Sequence, residues 1–181
     1  MPKSFTSQLL RTQSATYIVE VAVILFVLFF LIALPLVDLA TFTMRASLLS
    51  TCARDAAFHA AKAKSFVSDI SSTNLSAKSI ANRIALMEAA AFSDISVESV
   101  QTSVLITNLD TKEVSRQLTV LTLAPNTDQY VYQIEVSVTG RVKPLLLFSK
   151  NWFGDIPGLT DWIPVTVRSR EYCENPQGLM L

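Results

Sequence analysis

The sequence predicts an α+β fold: a long N-terminal transmembrane helix extended as a spine, a second helix, and an antiparallel sheet of three to four strands. Three observations carry this expectation. Residues 21–37 form an apolar block without a charge. Small and apolar residues then recur at alternating spacings of three and four, the helical period. From Ile95 onward the pattern shifts toward the two-residue period of strands.

The chain has 181 residues, enough for one anchor and one modest domain. Hydrophobic residues make up 50% and charged residues 17%, and much of the apolar excess sits in the single block. Formal net charge is zero. No global field therefore draws the chain to nucleic acid, and its basic side chains are not interleaved with aromatic ones. No nucleic-acid partner is expected. Glycine occurs four times and not before Gly140, which excludes a phosphate-cradling glycine loop from the first three quarters of the chain. There is no HExxH, GxSxG or CxxC pattern and one histidine, His59. The sequence points to no enzyme chemistry, no metal and no cofactor.

The anchor comes first. Val21 to Val37 reads VAVILFVLFFLIALPLV, and Tyr17 to Ala40 gives about 36 Å of helix at 1.5 Å per residue. That length spans a hydrocarbon core of about 30 Å with some tilt. It is too long for the apolar core of a cleaved signal peptide, and a cut after Ala40 would set Asp38 where a small residue is wanted. Pro35 lacks an N–H and is expected to bend the helix near its far end. Lys3 and Arg11 before the block balance Arg45 and Arg54 after it, so basic-residue asymmetry gives no direction. Glu20 stands near the start of the apolar run. A carboxylate at hydrocarbon depth costs a few kcal/mol, so it either reaches interfacial water or meets a cationic partner.

The segment Arg11-x-Gln13, then Ala15-Thr-Tyr-Ile-Val-Glu20-Val-Ala22 and the apolar run resembles the start of TadE-like proteins. These are minor pseudopilins of tight-adherence (Tad) pili, which are related to type IV pili. Cys52-Ala-Arg54-Asp-Ala-Ala57 is similar to the family's alanine-rich helix, and Pro164-Val-Thr-Val-Arg168-Ser-Arg-Glu171 to its terminal strand. The resemblance implies a pilin-like fold, with a prepilin peptidase cutting between Ala15 and Thr16 on the cytoplasmic side. Glu20 then becomes the fifth residue of the mature chain and neutralises the N-terminal ammonium of an adjacent subunit. Partners implied are other pilin-like subunits, the Tad assembly machinery and the membrane. The implied location is the bacterial inner membrane, with the N-terminus cytoplasmic and the domain periplasmic. Two departures stand out: the family usually has glycine where Ala15 stands, and a proline soon after the glutamate where this chain has Pro35.

The expected organisation is a cytoplasmic leader at 1–15, a transmembrane helix at 16–44, a spine helix and linker at 45–72, and an α+β domain at 73–181. On the spine, Leu49, Cys52, Ala56, His59, Ala63 and Phe66 are expected to share one packed face, while Arg54, Lys62 and Lys64 avoid it. His59 has no second metal-ligand candidate nearby and reads as a structural histidine. Ser65 to Ser79 has turn composition. The next helix is expected over Ser76 to Phe92, with Ile80, Ile84, Met87 and Ala91 inward and Asn74 or Ser76 as its cap. Strands are expected at Val104–Thr107 and Val114–Leu123 around an Asn108-Leu-Asp-Thr hairpin loop. Two more follow. Tyr130–Val142 should turn Tyr132, Ile134, Val136 and Val138 to one face and Gln133, Glu135, Ser137 and Thr139 to the other; the last runs from Ile163 to Glu171.

The apolar segment from Pro144 to Trp162 carries Trp152, Phe153 and Trp162. It reads either as a lid on the sheet or as a contact surface, since aromatic residues concentrate at interfaces. Cys52 and Cys173 are the only cysteines, and an oxidising compartment would permit a bond between them. The function expected is a minor pilin-like subunit in pilus assembly, acting in cell adhesion. The alternative is a single-pass accessory or sensor protein with a periplasmic binding domain.

Overall fold

The computed structural model describes residues 17, 19–147, 149–155, 158 and 160–181. It has the α+β architecture expected, and the chain divides into two compact units, residues 1–41 and 42–181. One helix, α1, runs from Val19 to Ala61, 43 residues.

In the first unit this helix is apolar and bare. Its side chains from Val19 to Leu39 are mostly exposed, and none of them is buried. The helix is long and apolar enough to span a membrane. Pro35 does not end it. The turn just before, Phe29–Ala33, widens to π-helical geometry, and α-helix resumes over Leu34–Ala61. A proline ring clashes with the carbonyl four residues back, and a widened turn relieves that contact while keeping the chain helical. Thr41 donates its hydroxyl to the Val37 carbonyl at 2.8 Å, which hides a polar group where water would be scarce.

In the second unit α1 buries Leu49, Cys52, Ala53, Ala56, Ala57, Ala60 and Ala61. His59, expected on this face, is exposed and stands edge-on to Phe58 at 5.5 Å. At about 100° per residue the buried stripe centres between Ala53 and Ala60, which leaves His59 roughly 105° from that centre, just past Cys52 at the stripe's edge. Ala63 and Phe66 are buried as expected, but beyond the end of the helix.

Helix α2 spans Ala77–Ala89 and is capped by Ser76, whose hydroxyl accepts from the Ser79 N–H. Asp69 braces the cap by accepting from the Ser76 N–H at 2.6 Å and from the Ser79 hydroxyl at 2.9 Å. Those bonds, the backbone one foremost, hold its carboxyl below the usual aspartate value. The inward face of α2 differs from expectation. Ala77, Ala81, Ala85 and Ala89 are buried, Ile80 and Ile84 flank them, and Met87 and Ala91 are exposed. Small residues win the central stripe because α2 packs closely on the sheet, against β1.

The sheet is antiparallel with strand order β2-β1-β3-β4. Strand β1 runs Ile95–Asn108, longer than its apolar centre indicated, and β2 is only Val114–Gln117. Between them Asn108 organises the hairpin by accepting from the Asp110 and Thr111 N–H groups. Strands β3 (Tyr130–Val142) and β4 (Ile163–Tyr172) lie close to the expected bounds. Tyr132, Ile134, Val136 and Val138 face the helices and are buried in one core with Val104, Phe66 and the α1 and α2 alanines.

The clamps on this core are polar. Arg45 of α1 binds Asp94 at 2.6 Å and donates to the Lys143 carbonyl, tying the helix to the start of β1 and the end of β3. At the other end, a 3-10 turn at Pro176–Met180 seats Leu179 in the core. There Phe66 and Val67 donate backbone N–H groups to the Leu181 oxygen at 2.8 and 2.9 Å, and Leu121 donates to the Leu179 carbonyl at 2.9 Å. A Cβ on Gly178 would lie 2.1 Å from the Lys64 carbonyl oxygen, so only glycine fits. Gly178→Ala is expected to destabilise the folded domain by about 1–3 kcal/mol, as overpacking against backbone does, measured by denaturant unfolding. An unchanged midpoint would refute this account of the terminal turn.

Candidate functional site

The sequence-derived site residues do not converge on one place. Glu20 lies exposed in the first turn of α1. The processing pair Ala15 and Thr16 lies outside the described residues, as do the side chains of Trp152 and Phe153. Trp162 is half-buried, and its backbone N–H donates to the Asp161 carboxylate at 2.7 Å. In the same segment Pro144 is buried while Leu145 and Leu147 are exposed. Lys150 bridges Asp155 at 2.9 Å and Asp161 at 3.1 Å.

Cys52 and Cys173 are both free, so the bond between them is not formed. Cys173 follows β4 beside the last turn of α1, where the Glu174 N–H donates to the Ala61 carbonyl at 3.0 Å. Cys52 lies about 13 Å back along that helix, buried against α2. There the Glu88 carboxyl lies near its thiol, with Asp55 and His59 close by. Burial first, and then the charge of Asp55, raises the Glu88 carboxyl above its usual value.

The most distinctive chemistry lies on the sheet face turned away from the helices. Glu135 of β3 belongs to that face, as the alternation predicts, yet its side chain is only 1% exposed. Two arginines cover it. Arg170 of β4 donates from Nε at 2.7 Å, and Arg116 of β2 binds the second carboxylate oxygen. Their guanidinium-bearing side chains remain about half exposed, at 54% and 41%. One carboxylate in the centre of the sheet thus holds a cation from each outer strand. Leu105 and Ser103 on the neighbouring strand are buried beneath the same cover.

Around this triad the face is polar and cationic. Thr139 and Thr166 share a hydroxyl contact at 3.1 Å, and Arg141 pairs with Glu98 at 2.6 Å. Arg168, two residues before Arg170, is exposed and opposite Ser137, with no ion pair among the described residues. Alternation alone places Arg168 and Arg170 on one face of β4. It does not reveal that Arg116, two strands away, would meet the same carboxylate. No cluster of three or more His, Cys, Asp or Glu side chains suited to a metal ion occurs among the described residues.

Two outcomes follow from this chemistry. Replacing both Arg116 and Arg170 by alanine leaves a buried carboxylate uncompensated and is expected to cost about 3–5 kcal/mol. The triple change Arg116→Met, Glu135→Leu, Arg170→Met is expected to be near neutral or stabilising, and urea unfolding of the two variants separates them. Equal losses in both would mean that packing, not charge, governs the site. Glu88→Gln tests the other cluster. A carboxyl raised in the fold adds stability below its unfolded value and loses it as pH rises through the folded value. Acidification from neutrality toward the ordinary glutamate range should therefore stabilise the parent but not the variant. The difference should stay below about 1 kcal/mol because the group is partly open to water, and melting curves across that range read it. No family model, curated protein or solved structure matches the chain.

Proposed function

We propose that the chain is a minor pilin-like membrane subunit that takes part in assembly of a Tad-type pilus. What supports the reading is one helix with two characters and a carboxylate at its head. Its first part, from Val19, is apolar and uncovered, with Glu20 in the opening turn; from Leu49 onward it is buried in an α+β domain. A tether needs only to be apolar. A carboxylate at the edge of such a helix is unfavourable by a few kcal/mol in lipid unless a cation meets it. In the proposed assembly, a prepilin peptidase cuts after Ala15, and the new ammonium of Thr16 on one subunit meets Glu20 of its neighbour. The pair attracts strongly in low dielectric, and either partner left alone is unfavourable there. The N-terminus faces the cytoplasm and the domain faces the periplasm of the bacterial inner membrane. The pilin-like fold of the domain belongs to the same proposal.

A second reading, a single-pass accessory protein with a periplasmic binding domain, draws support from the cationic sheet face around Arg168 and Arg170. Glu20 separates the two. Glu20→Leu is expected to abolish incorporation into filaments while the protein still reaches the membrane, and Glu20→Asp to retain part of it. Mass spectrometry of the purified chain should find Thr16 as the first residue. Full assembly by the Leu variant, or an intact leader on assembled protein, would overturn the pilin-like reading.

A further inference from the structure

Strand β4 closes one side of the sheet and has no neighbour beyond it among the described residues. Its pairing with β3 runs without a register break from Ile163 to Tyr172. The opposite side is less regular: β2 covers only four residues of β1, and β1 carries a register shift between Val97 and Ser99. Bulges and short strands are the usual protection of sheet edges against pairing with other chains. The β4 edge has neither. Its devices are its charged side chains and Pro164 at the start of the strand, a position where a missing N–H breaks no ladder bond.

The direction of the free backbone groups follows from one hydrogen bond. The Cys173 N–H donates to the Tyr132 carbonyl at 3.0 Å, in the same register that sets Tyr172 opposite Gln133. Antiparallel pairs alternate between bonded and non-bonded, so the odd residues of β4 turn their N–H and C=O groups toward β3. The even residues turn theirs outward. Thr166, Arg168, Arg170 and Tyr172 therefore offer backbone donors and acceptors at the open edge. Among the described residues no backbone hydrogen bond to that edge is present.

The same four residues carry their side chains on the sheet face away from the helices, and all four are exposed. Backbone pairing and charge are thereby coupled. A strand added antiparallel at this edge would place its bonded residues about 5.5 Å from Arg168 and Arg170, with side chains on the arginine face. Opposite-charge cross-strand pairs are favourable and like-charge pairs are not. Glu135 already neutralises one of the charges supplied by Arg116 and Arg170, so the face keeps a cationic excess centred on Arg168. A second copy of this chain, paired through its own β4, would bring arginines against arginines or against uncharged residues.

We propose that the β4 edge accepts an extended segment of a partner protein with carboxylates at alternating positions, adding it as a fifth strand. Backbone bonds to Thr166, Arg168, Arg170 and Tyr172 supply the docking, and acidic residues two apart, facing Arg168 and Arg170, set its register. This surface is independent of the role of Glu20.

The test uses the full chain in detergent micelles and two labelled eight-residue peptides, one alternating glutamate with valine and the other lysine with valine. Fluorescence anisotropy reads affinity, and hydrogen exchange with mass spectrometry reads the segment 163–172. The glutamate peptide is expected to bind and to slow exchange in that segment, while the lysine peptide does neither. Arg168→Glu, which breaks no ion pair described in the fold, should weaken the glutamate peptide by about tenfold or more and favour the lysine peptide. Thr166→Pro removes one outward N–H while keeping both arginines and should also weaken binding. Equal binding of both peptides, or binding that survives both substitutions, overturns the proposal. Protection of 163–172 that rises with protein concentration in the absence of peptide identifies a second copy as the occupant and overturns it as well.

Discussion

The packing of two alanine-lined helix faces into one core with the sheet is the constraint on which the rest of the domain depends. Helices at ordinary distance use leucine-sized side chains to fill the gap. Here the contact stripe of α1 is Ala53, Ala56, Ala57, Ala60 and Ala61, and that of α2 is Ala77, Ala81, Ala85 and Ala89. Removing bulk from the helices leaves the core to be filled from the sheet and the ends, by Val104, Ile134, Val136, Val138, Phe66 and Leu179. Gly140 belongs to the same economy of space: a Cβ there would lie 2.6 Å from the Ser96 carbonyl oxygen and 3.5 Å from Leu49. Such a core has little slack for larger residues, because interiors are packed as densely as organic crystals. It also explains the polar clamps, since alanines bury little apolar area each and the ends of the packing need other ties. Arg45 with Asp94 and the seating of residues 176–181 are those ties.

Helix α1 carries two surface compositions, suited to different solvents, on one backbone. Residues near its start present leucine, isoleucine, valine and phenylalanine all round, which suits lipid, whereas residues from Leu49 present alanine on one side and polar groups on the other, which suits a folded domain in water. A helix needs no interruption to make that change because its backbone bonds are internal. Pro35 sits in the lipid-suited part and is accommodated by a widened turn. The sequence predicted a bend there from the lost hydrogen bond; it does not specify how a helix redistributes the strain, because several local geometries relieve the same clash.

The elements with strong periodicity were legible before the structure. Tyr130–Val142 is the clearest, since its alternation is regular and its inward face is β-branched or aromatic. The helix faces were less legible for a specific reason. A search for apolar residues selects Ile80, Ile84 and Met87 over alanine, yet the tight contact selects for small size, so Met87 is exposed and Ala81 and Ala85 are buried. His59 was misplaced by the same logic, because neighbouring stripes on an alanine-rich helix differ little in hydrophobicity. At the sheet face, strand alternation placed Glu135 outward correctly but gave no sign that it is buried. That requires Arg116 and Arg170 from two other strands, a long-range contact that no local pattern encodes.

The Arg116–Glu135–Arg170 arrangement bears on how the sheet ends. A buried carboxylate is unfavourable unless it is paired and fully hydrogen-bonded, and apolar residues in its place are often at least as stable. Its presence at the centre of the sheet therefore calls for a consequence other than stability. One consequence is geometric: each outer strand is held by a directional bond to β3, so twist and register at the edges are restricted beyond what backbone pairing imposes. Another is electrostatic. Glu135 gathers two guanidinium groups onto one face while neutralising only one of their charges. The remaining positive charge lies with Arg168 along β4, the strand whose outer backbone groups are free. An edge with open backbone groups is prone to pairing with any exposed strand, and fixed charge is what limits the choice. The buried glutamate is thus best understood as the group that orients Arg170, and through it gives an otherwise permissive edge a preferred partner sign.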